Sequence, residues 1–290
     1  MKILNYGSMN IDNVYSVDHA VLAGETILAG EKNVFCGGKG LNQSIALSRA
    51  GAEVYMAGIV GEDGGMLLDA LEKNHVDTSL IRHVDGPSGH TVIQVDKNGQ
   101  NSIIVISGSN LRTTEADLDQ MLERFAPGDA LILQNELYNS PLMMRKAAEK
   151  GLCVIFNPSP INDELFSYPL DQVSWFVLNE IEGAALSGET EPGRILDALK
   201  AKYPSASVVL TLGSDGAWCM EGDERVFQPV FKVKAVDTTA AGDTFMGYFV
   251  AGLAQGMPVK QRLERAARAS SIAVSRPGAA DSIPLAEEVE

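Results

Sequence analysis

From about residue 128 onward, the apolar positions fall into short unbroken runs set between helical patterns. The runs are Ala130-Leu131-Ile132-Leu133, Cys153-Val154-Ile155-Phe156, Trp175-Phe176-Val177-Leu178 and Val208-Val209-Leu210-Thr211. Runs without polar alternation, separated by helices, predict an α/β fold with a mainly parallel sheet covered on both faces. Ligands on such sheets bind beyond the carboxyl ends of the strands. The residues that follow the runs therefore stand out: Gln134-Asn135-Glu136, Asn157-Pro158-Ser159-Pro160, Asn179 to Glu182, and Gly213 to Gly216. Further on, Phe245, Phe249, Leu253 and Met246, Val250 recur at intervals of three and four, which predicts a helix with one buried face. Met1 to Gly7 reads as a first strand, too short and too quickly polar for a signal peptide.

Two early segments carry a different pattern. Residues 12–34 are irregular and β-rich. Residues 90–106 read as a hairpin, with Asn98-Gly99 in the turn between β-branched runs. The strand Ile103-Ile104-Val105-Ile106 is apolar on both faces, so something must cover both. The two segments predict either a small β-sheet lid across the cleft or a hairpin extension of the main sheet. No repeat, low-complexity tract or long linker divides the chain, and residues 1–290 are expected to form one domain.

Charge narrows the partners. With 38 acidic and 23 basic side chains the net charge is −15, and no Lys/Arg cluster offers a basic face, which argues against nucleic acid. A small anionic cofactor remains compatible, because a helix N-terminus and a few local cations can reverse the field within one cleft. No apolar run approaches the length that spans a bilayer. Cys36, Cys153 and Cys219 lie far apart and odd in number, which suits a reducing cytoplasm rather than a disulfide scaffold or zinc site. His19, His75, His83 and His90 show no ligand spacing and read as surface or loop residues. The chain's end at Glu290 leaves no evident final helix.

The candidate chemistry centres on Val236-Asp237-Thr238-Thr239-Ala240-Ala241-Gly242-Asp243-Thr244-Phe245. Small residues running into a helix place free N–H groups and the positive dipole end where an anion binds. A carboxylate among those donors can accept a proton from a nucleophile beside a phosphate. In isolation, Asp243 reads first as a helix cap. A second motif, Cys36-Gly37-Gly38-Lys39-Gly40-Leu41-Asn42-Gln43, opens a helix expected over residues 42–50 with glycines that admit a ligand closely. It is no Walker loop: Gly40 stands where Ser or Thr belongs, and Asn33 stands where the first glycine belongs. Lys39 supplies a point charge and Asn42 both donates and accepts, the mixed partners a polyol needs. Gly7-Ser8-Met9-Asn10-Ile11-Asp12 adds an amide and a carboxylate suited to vicinal hydroxyls.

Taken in order, Gly7-Ser8-x-Asn10-x-Asp12, Gly37-Gly38-Lys39-Gly40-x-Asn42-Gln43, Asn157-Pro158-x-Pro160, Asn179-x-x-Glu182, Thr211-Leu212-Gly213-Ser214 and Asp237-Thr238-x-Ala240-Ala241-Gly242-Asp243-Thr244-Phe245 resemble the ribokinase-like branch of the PfkB carbohydrate kinases, across residues 1–284. The resemblance implies a three-layer α/β/α ribokinase-like fold with a β lid, and dimerisation through that lid. It implies an ATP-dependent sugar kinase, with D-ribose converted to ribose 5-phosphate as the leading reaction. Another pentose, a hexose or a nucleoside is the alternative acceptor, and a catalytically idle sugar- or nucleotide-binding regulator is the alternative class. Asp243 is implied as base, with Ala240, Ala241 and Gly242 as anion hole. Asn10, Asp12, Gly38, Lys39, Asn42 and Glu136 are implied for the sugar. Asn179 and Glu182 are implied for magnesium and phosphate through water, and Thr211, Gly213 and Gly216 for the nucleotide side. A potassium site is implied at Asp237, Thr239, Ala273, Arg276, Gly278 and Ser282.

Three departures qualify the match. The family's first signature has glycine where this chain has Met66, with Gly65 one place early. Pro277 sits inside the potassium loop. Leu41 replaces a small residue beside the sugar motif, leaving the acceptor open.

Overall fold

The first strand, β1 (Ile3–Tyr6), is buried at all four residues, as the middle of a doubly covered sheet requires. In the computed structural model, which describes residues 1–290, it is followed by β2 (Asn10–Ser16), β3 (Glu31–Gly37), α1 (Lys39–Arg49), β4 (Val54–Val60), α2 (Gly65–Lys73), β5 (Asp77–His83), β6 (Gly89–Val95) and β7 (Asn101–Ile106). The chain continues through α3 (Glu115–Leu122), β8 (Ala130–Gln134), α4 (Ser140–Glu149), β9 (Cys153–Asn157), β10 (Trp175–Asn179), α5 (Glu180–Ser187), α6 (Pro192–Lys202) and β11 (Ser207–Thr211). It closes with β12 (Ala217–Glu221), β13 (Glu224–Gln228), α7 (Ala241–Ala254), α8 (Val259–Val274) and α9 (Ala286–Val289).

Nine strands make one sheet in the order β13-β12-β11-β10-β9-β8-β1-β4-β5. Only β12 and β13 join it by antiparallel pairing. The four apolar runs read from the sequence are β8, β9, β10 and β11. Successive side chains feed opposite layers, as the strand repeat dictates. Ile3, Ala130 and Ile132 enter the core beneath α1, α7 and α8, whereas Leu4, Leu131 and Leu133 enter the core with α3, α4 and α6. The order reverses at β1, which pairs with both β4 and β8. Such a reversal opens a crevice at the carboxyl ends of the strands. Ser8 and Glu136 follow β1 and β8 there.

A separate four-stranded sheet, β3-β2-β6-β7, decides between lid and hairpin extension in favour of a lid. Its strands span residues 10–16, 31–37 and 89–106, slightly wider than the segments read from the sequence. Asn10 to Ser16 pairs with Glu31–Gly37 on one side and Gly89–Val95 on the other. Gly99 closes the β6–β7 turn with φ 78°, while the Asp96 carboxylate accepts from the N–H groups of Asn98 and Gln100. Within this chain, Val34, Phe35, Ile103, Ile104 and Val105 stay exposed.

Several local expectations are corrected. Helix α1 starts at Lys39 rather than Asn42, because Gly38 (φ 96°) turns the chain just before it. Helix α7 is buried from Thr244 to Gly252 instead of along one face. It lies between α1 and α8, and a Cβ at Gly247 would strike Ala46, so only glycine lets the helices cross there. His90 is half-buried within β6 and so is neither a surface nor a loop residue, whereas His83 is exposed at the end of β5, at the surface as expected. A single helical turn, α9, stands where no final helix was expected, with Tyr248 donating to the Pro284 carbonyl beside it. Leu41 is fully buried in the core with Met9 and Ile45 and lines neither cavity of the site.

Candidate active site

The start of α7 organises the crevice. Ala240 adopts a left-handed conformation, φ 58°, which costs a non-glycine residue roughly 1–2 kcal/mol. Strain of this kind gathers at functional turns. Here it directs the chain into α7 so that Ala241, Gly242 and Asp243 form the first turn, whose N–H groups lack intrahelical acceptors. Those residues line a cavity of about 200 Å³ together with Lys39, Asn157, Ser159, Asn179, Glu182 and Thr211. A second, mostly apolar cavity of about 650 Å³ shares Thr211, Thr238, Ala241 and Gly242 with the first. Gly213, Gly216, Phe231, Val233 and Val274 are among its walls. The helix N-terminus thus separates a polar chamber from an apolar one.

Asp243 is held from α1. Gln43 Nε2 donates to its Oδ1 at 2.9 Å and Asn42 Nδ2 donates to its Oδ2 at 3.2 Å. Burial works against the Lys39 ammonium, but Asp243, Glu136 and Glu182 around it hold its pKa above the ordinary lysine value. Lys39 therefore stays charged. Asn42 Oδ1 is buried without a partner, an acceptor free for a ligand hydroxyl.

The sugar motif is assembled by close backbone approach. A Cβ at Gly38 would lie 2.7 Å from the Ser8 carbonyl oxygen, and one at Gly37 would fall on the Asp12 carboxylate. Asn10 Oδ1 accepts from Asn110 Nδ2 at 2.8 Å, and Asp12 Oδ1 accepts from Thr91 Oγ1 at 2.7 Å. Ser8 Oγ donates to Glu136. Burial pushes the Asp12 and Glu136 carboxyls up, opposed by Thr91 in the first case and by Lys39 in the second.

Asn179 and Glu182 form a reciprocal cap on α5. Glu182 N–H donates to Asn179 Oδ1 and Asn179 N–H to Glu182 Oε2, both at 2.9 Å, while Asn157 Nδ2 reaches the same carboxylate at 3.4 Å. Burial raises the Glu182 pKa against those donors. Asp237 ties two loops together: its Oδ1 accepts from Thr239 N–H at 2.9 Å and its Oδ2 from Gly278 N–H at 3.0 Å. Despite partial burial, these donors keep its carboxyl below the usual range. Pro277 leaves the link to Gly278 intact. The Arg276 guanidinium turns away to Glu288, the Ala273 carbonyl accepts from Arg276 N–H, and Ser282 Oγ donates to Ala279.

Sequence reasoning missed Asn110 and Thr91, which carry no local signal and arrive through the fold, and it gave Ser159 no role although the Asn157–Pro160 stretch stood out. Gln43 was visible in the glycine motif, but its contact with Asp243 was not. In the first signature, a Cβ at Gly65 meets nothing, so glycine is not demanded there, whereas one at Gly61 would strike Gly86 and Pro87.

Comparison with known proteins decides the family. The pfkB family carbohydrate kinase profile matches residues 1–286. The chain belongs to the pfkB carbohydrate kinases. It is 36% identical to a Schizosaccharomyces pombe ribokinase, covering 100% of this chain and 97% of that one. It is 30% identical to a Salmonella typhi deoxyribokinase over 99% and 97% of the two chains. The structure of Arabidopsis thaliana ribokinase complexed with ribose and ATP superposes with a TM-score of 0.87 at 29% identity, covering 99% of this chain and 97% of that one. As a pfkB kinase the protein is an ATP-dependent carbohydrate kinase, and its nine-stranded sheet with a four-stranded lid is the ribokinase fold.

Proposed function

We propose that this kinase is a ribokinase, transferring the γ-phosphoryl group of ATP to the primary hydroxyl of D-ribose. The observation that carries the reading is Asp243: its carboxylate sits in the first turn of α7, braced by two amides of the sugar helix, where the Gly242 and Asp243 N–H groups have no backbone acceptor and the Ala241 N–H makes only a long contact, 3.3 Å, to the Thr238 carbonyl. A carboxylate is too weak a base to ionise an alcohol beforehand, so Asp243 accepts the proton as the new P–O bond forms. In a loose phosphoryl-transfer transition state, alignment and charge stabilisation dominate. The Ala240–Gly242 turn supplies donors already aimed at the phosphoryl oxygens. Asn10, Asp12, Gly38, Lys39, Asn42 and Glu136 hold the sugar, and the paired amide and carboxylate of Asn10 and Asp12 favour vicinal hydroxyls. That pairing supports ribose over its 2-deoxy analogue. Thr211, Gly213 and Gly216 line the nucleotide side, next to the apolar cavity that suits a base.

The donor sets fit both cations the family pattern implies. No group of three His, Cys, Asp or Glu side chains is arranged to hold a metal ion by itself. Glu182 has its oxygens engaged by Asn179 and Asn157, which suits contact with a hydrated magnesium held chiefly by phosphates. When bound, magnesium neutralises the β and γ oxygens of ATP. Asp237 and Thr239, with Ala273, Arg276, Gly278 and Ser282 of the 273–282 segment, would offer the oxygen ligands a potassium ion takes. We also infer a homodimer in which a second copy covers the exposed lid face.

The deciding experiment measures ATP consumption with D-ribose, 2-deoxy-D-ribose, hexoses and nucleosides, in potassium and in a bulky organic cation. The highest kcat/KM is expected for ribose, with activation by potassium. Preference for deoxyribose, a hexose or a nucleoside would overturn the acceptor, and equal activity in both cations would remove the potassium site.

A further inference from the structure

Beneath Asp243 lies a set of buried uncharged amides. Asn5 on β1 and Gln43 on α1 are 0% exposed, and Gln134 at the end of β8 is 1% exposed. Asn5 points to the same side of the sheet as Ile3, into a layer that is otherwise apolar. Burying three carboxamides there is unfavourable unless each is hydrogen-bonded. Asn5 Nδ2 donates to the Gly40 carbonyl and to Ser44 Oγ, both at 2.9 Å. Gln134 Nε2 donates to Asn5 Oδ1 at 3.0 Å and to Gln43 Oε1 at 2.7 Å. Gln43 Nε2 donates to Asp243 Oδ1 at 2.9 Å and reaches Asn157 Oδ1 at 3.5 Å.

The polarity of this chain is forced. A carboxamide has one accepting and one donating end, and a backbone carbonyl can only accept. The Gly40 carbonyl therefore fixes Asn5 with Nδ2 toward it and Oδ1 toward Gln134. Gln134 must answer with Nε2, and its second hydrogen must meet Gln43 Oε1. Gln43 is left with only its Nε2 to present to Asp243. A second carbonyl gives the same answer from the other side: Asn157 Nδ2 donates to Val177 O at 3.0 Å, turning Asn157 Oδ1 toward Gln43. Gln134 Oε1 is left buried and unpartnered, the sacrifice of a residue used for its two donors.

We propose that Asn5, Gln134 and Gln43 form an amide relay that positions the base, so that Asp243 always meets a donor and its remaining lone pairs face the sugar hydroxyl. The three are positioning residues, and the proposal rests on the reading of Asp243 as base. The test is a double-mutant cycle in kcat with Gln134→Leu, Gln43→Leu and both together, with Asp243→Asn alongside. Gln134→Leu is expected to lower kcat about tenfold, the scale of one oriented hydrogen bond to a charged group, while both KM values stay within about twofold. In the Gln43→Leu background the same change should have almost no further effect, because the relay acts only through Gln43. Multiplying effects, a change confined to KM, or unaltered kcat would overturn the relay. Normal turnover by Asp243→Asn would instead overturn the base itself. If Gln134→Leu does not fold, the side-chain amide protons of Gln43 and Gln134 in the unaltered protein decide the matter. The relay requires slow exchange, with Gln43 signals that move in Asp243→Asn; rapid exchange contradicts it.

Discussion

Glu136 shows what the site costs at the scale of one residue. Its carboxyl is pushed above the ordinary glutamate range chiefly by burial, with Lys39 and Ser8 opposing. A raised folded-state pKa means the folded chain binds that proton more tightly than the unfolded chain. Stability is therefore lost as pH rises from the ordinary carboxylate value through the raised one. Glu136→Gln removes the loss. Its thermal midpoint in the absence of sugar should match the parent below the usual carboxylate range and exceed it at neutral pH, while sugar affinity falls. A melting series across pH checks this, and a variant less stable than the parent at neutral pH would contradict it. The candidate residues themselves were readable because glycine and alanine runs flank them, and a backbone stripped of bulk signals close approach. Their mutual contacts were not readable. Gln43 and Asp243 are 200 positions apart, and only the crossing of α1 and α7 at Gly247 brings them together.

At the scale of elements, the strands of the main sheet were legible because burial on both faces removes polar alternation. Helix α7 was misread as one-sided, since intervals of three and four remain visible even when the intervening small residues are buried too. The lid was legible as β structure, but its residue pattern alone could not tell a separate sheet from a hairpin extension of the main one. Its independence depends on β2 pairing in parallel with β6, a partner roughly 80 positions away. Strand β7 forms one edge of that sheet, and Ile103, Ile104 and Val105 on it are 52%, 58% and 60% exposed. An exposed apolar edge is an invitation to pairing. Sedimentation equilibrium is expected to give a dimer for the parent and a markedly weaker one for Ile104→Asp. A monomeric parent at micromolar concentration would remove the lid interface.

Across the whole molecule, a chain with net charge −15 accommodates an anionic cofactor by local means. The strand-order reversal at β1 places the sugar motif, Glu136 and the α7 N-terminus at one rim. Lys39 and the helix dipole supply local positive charge there, among the carboxylates of Glu136, Glu182 and Asp243. Fold class followed from strand and helix alternation; the acceptor did not, because the side chains of Asn10 and Asp12, proposed for the sugar, are oriented by Asn110 and Thr91, which only the topology brings to them. The central claim is that Asp243 takes the proton from the sugar's primary hydroxyl. Single-turnover kinetics of Asp243→Asn with saturating ribose and ATP, paired with calorimetric ribose binding, test it most directly. The account predicts a rate lower by about 10²–10⁴-fold, the usual loss of a general base, with ribose affinity retained. Turnover at the parent rate with ribose bound would contradict it.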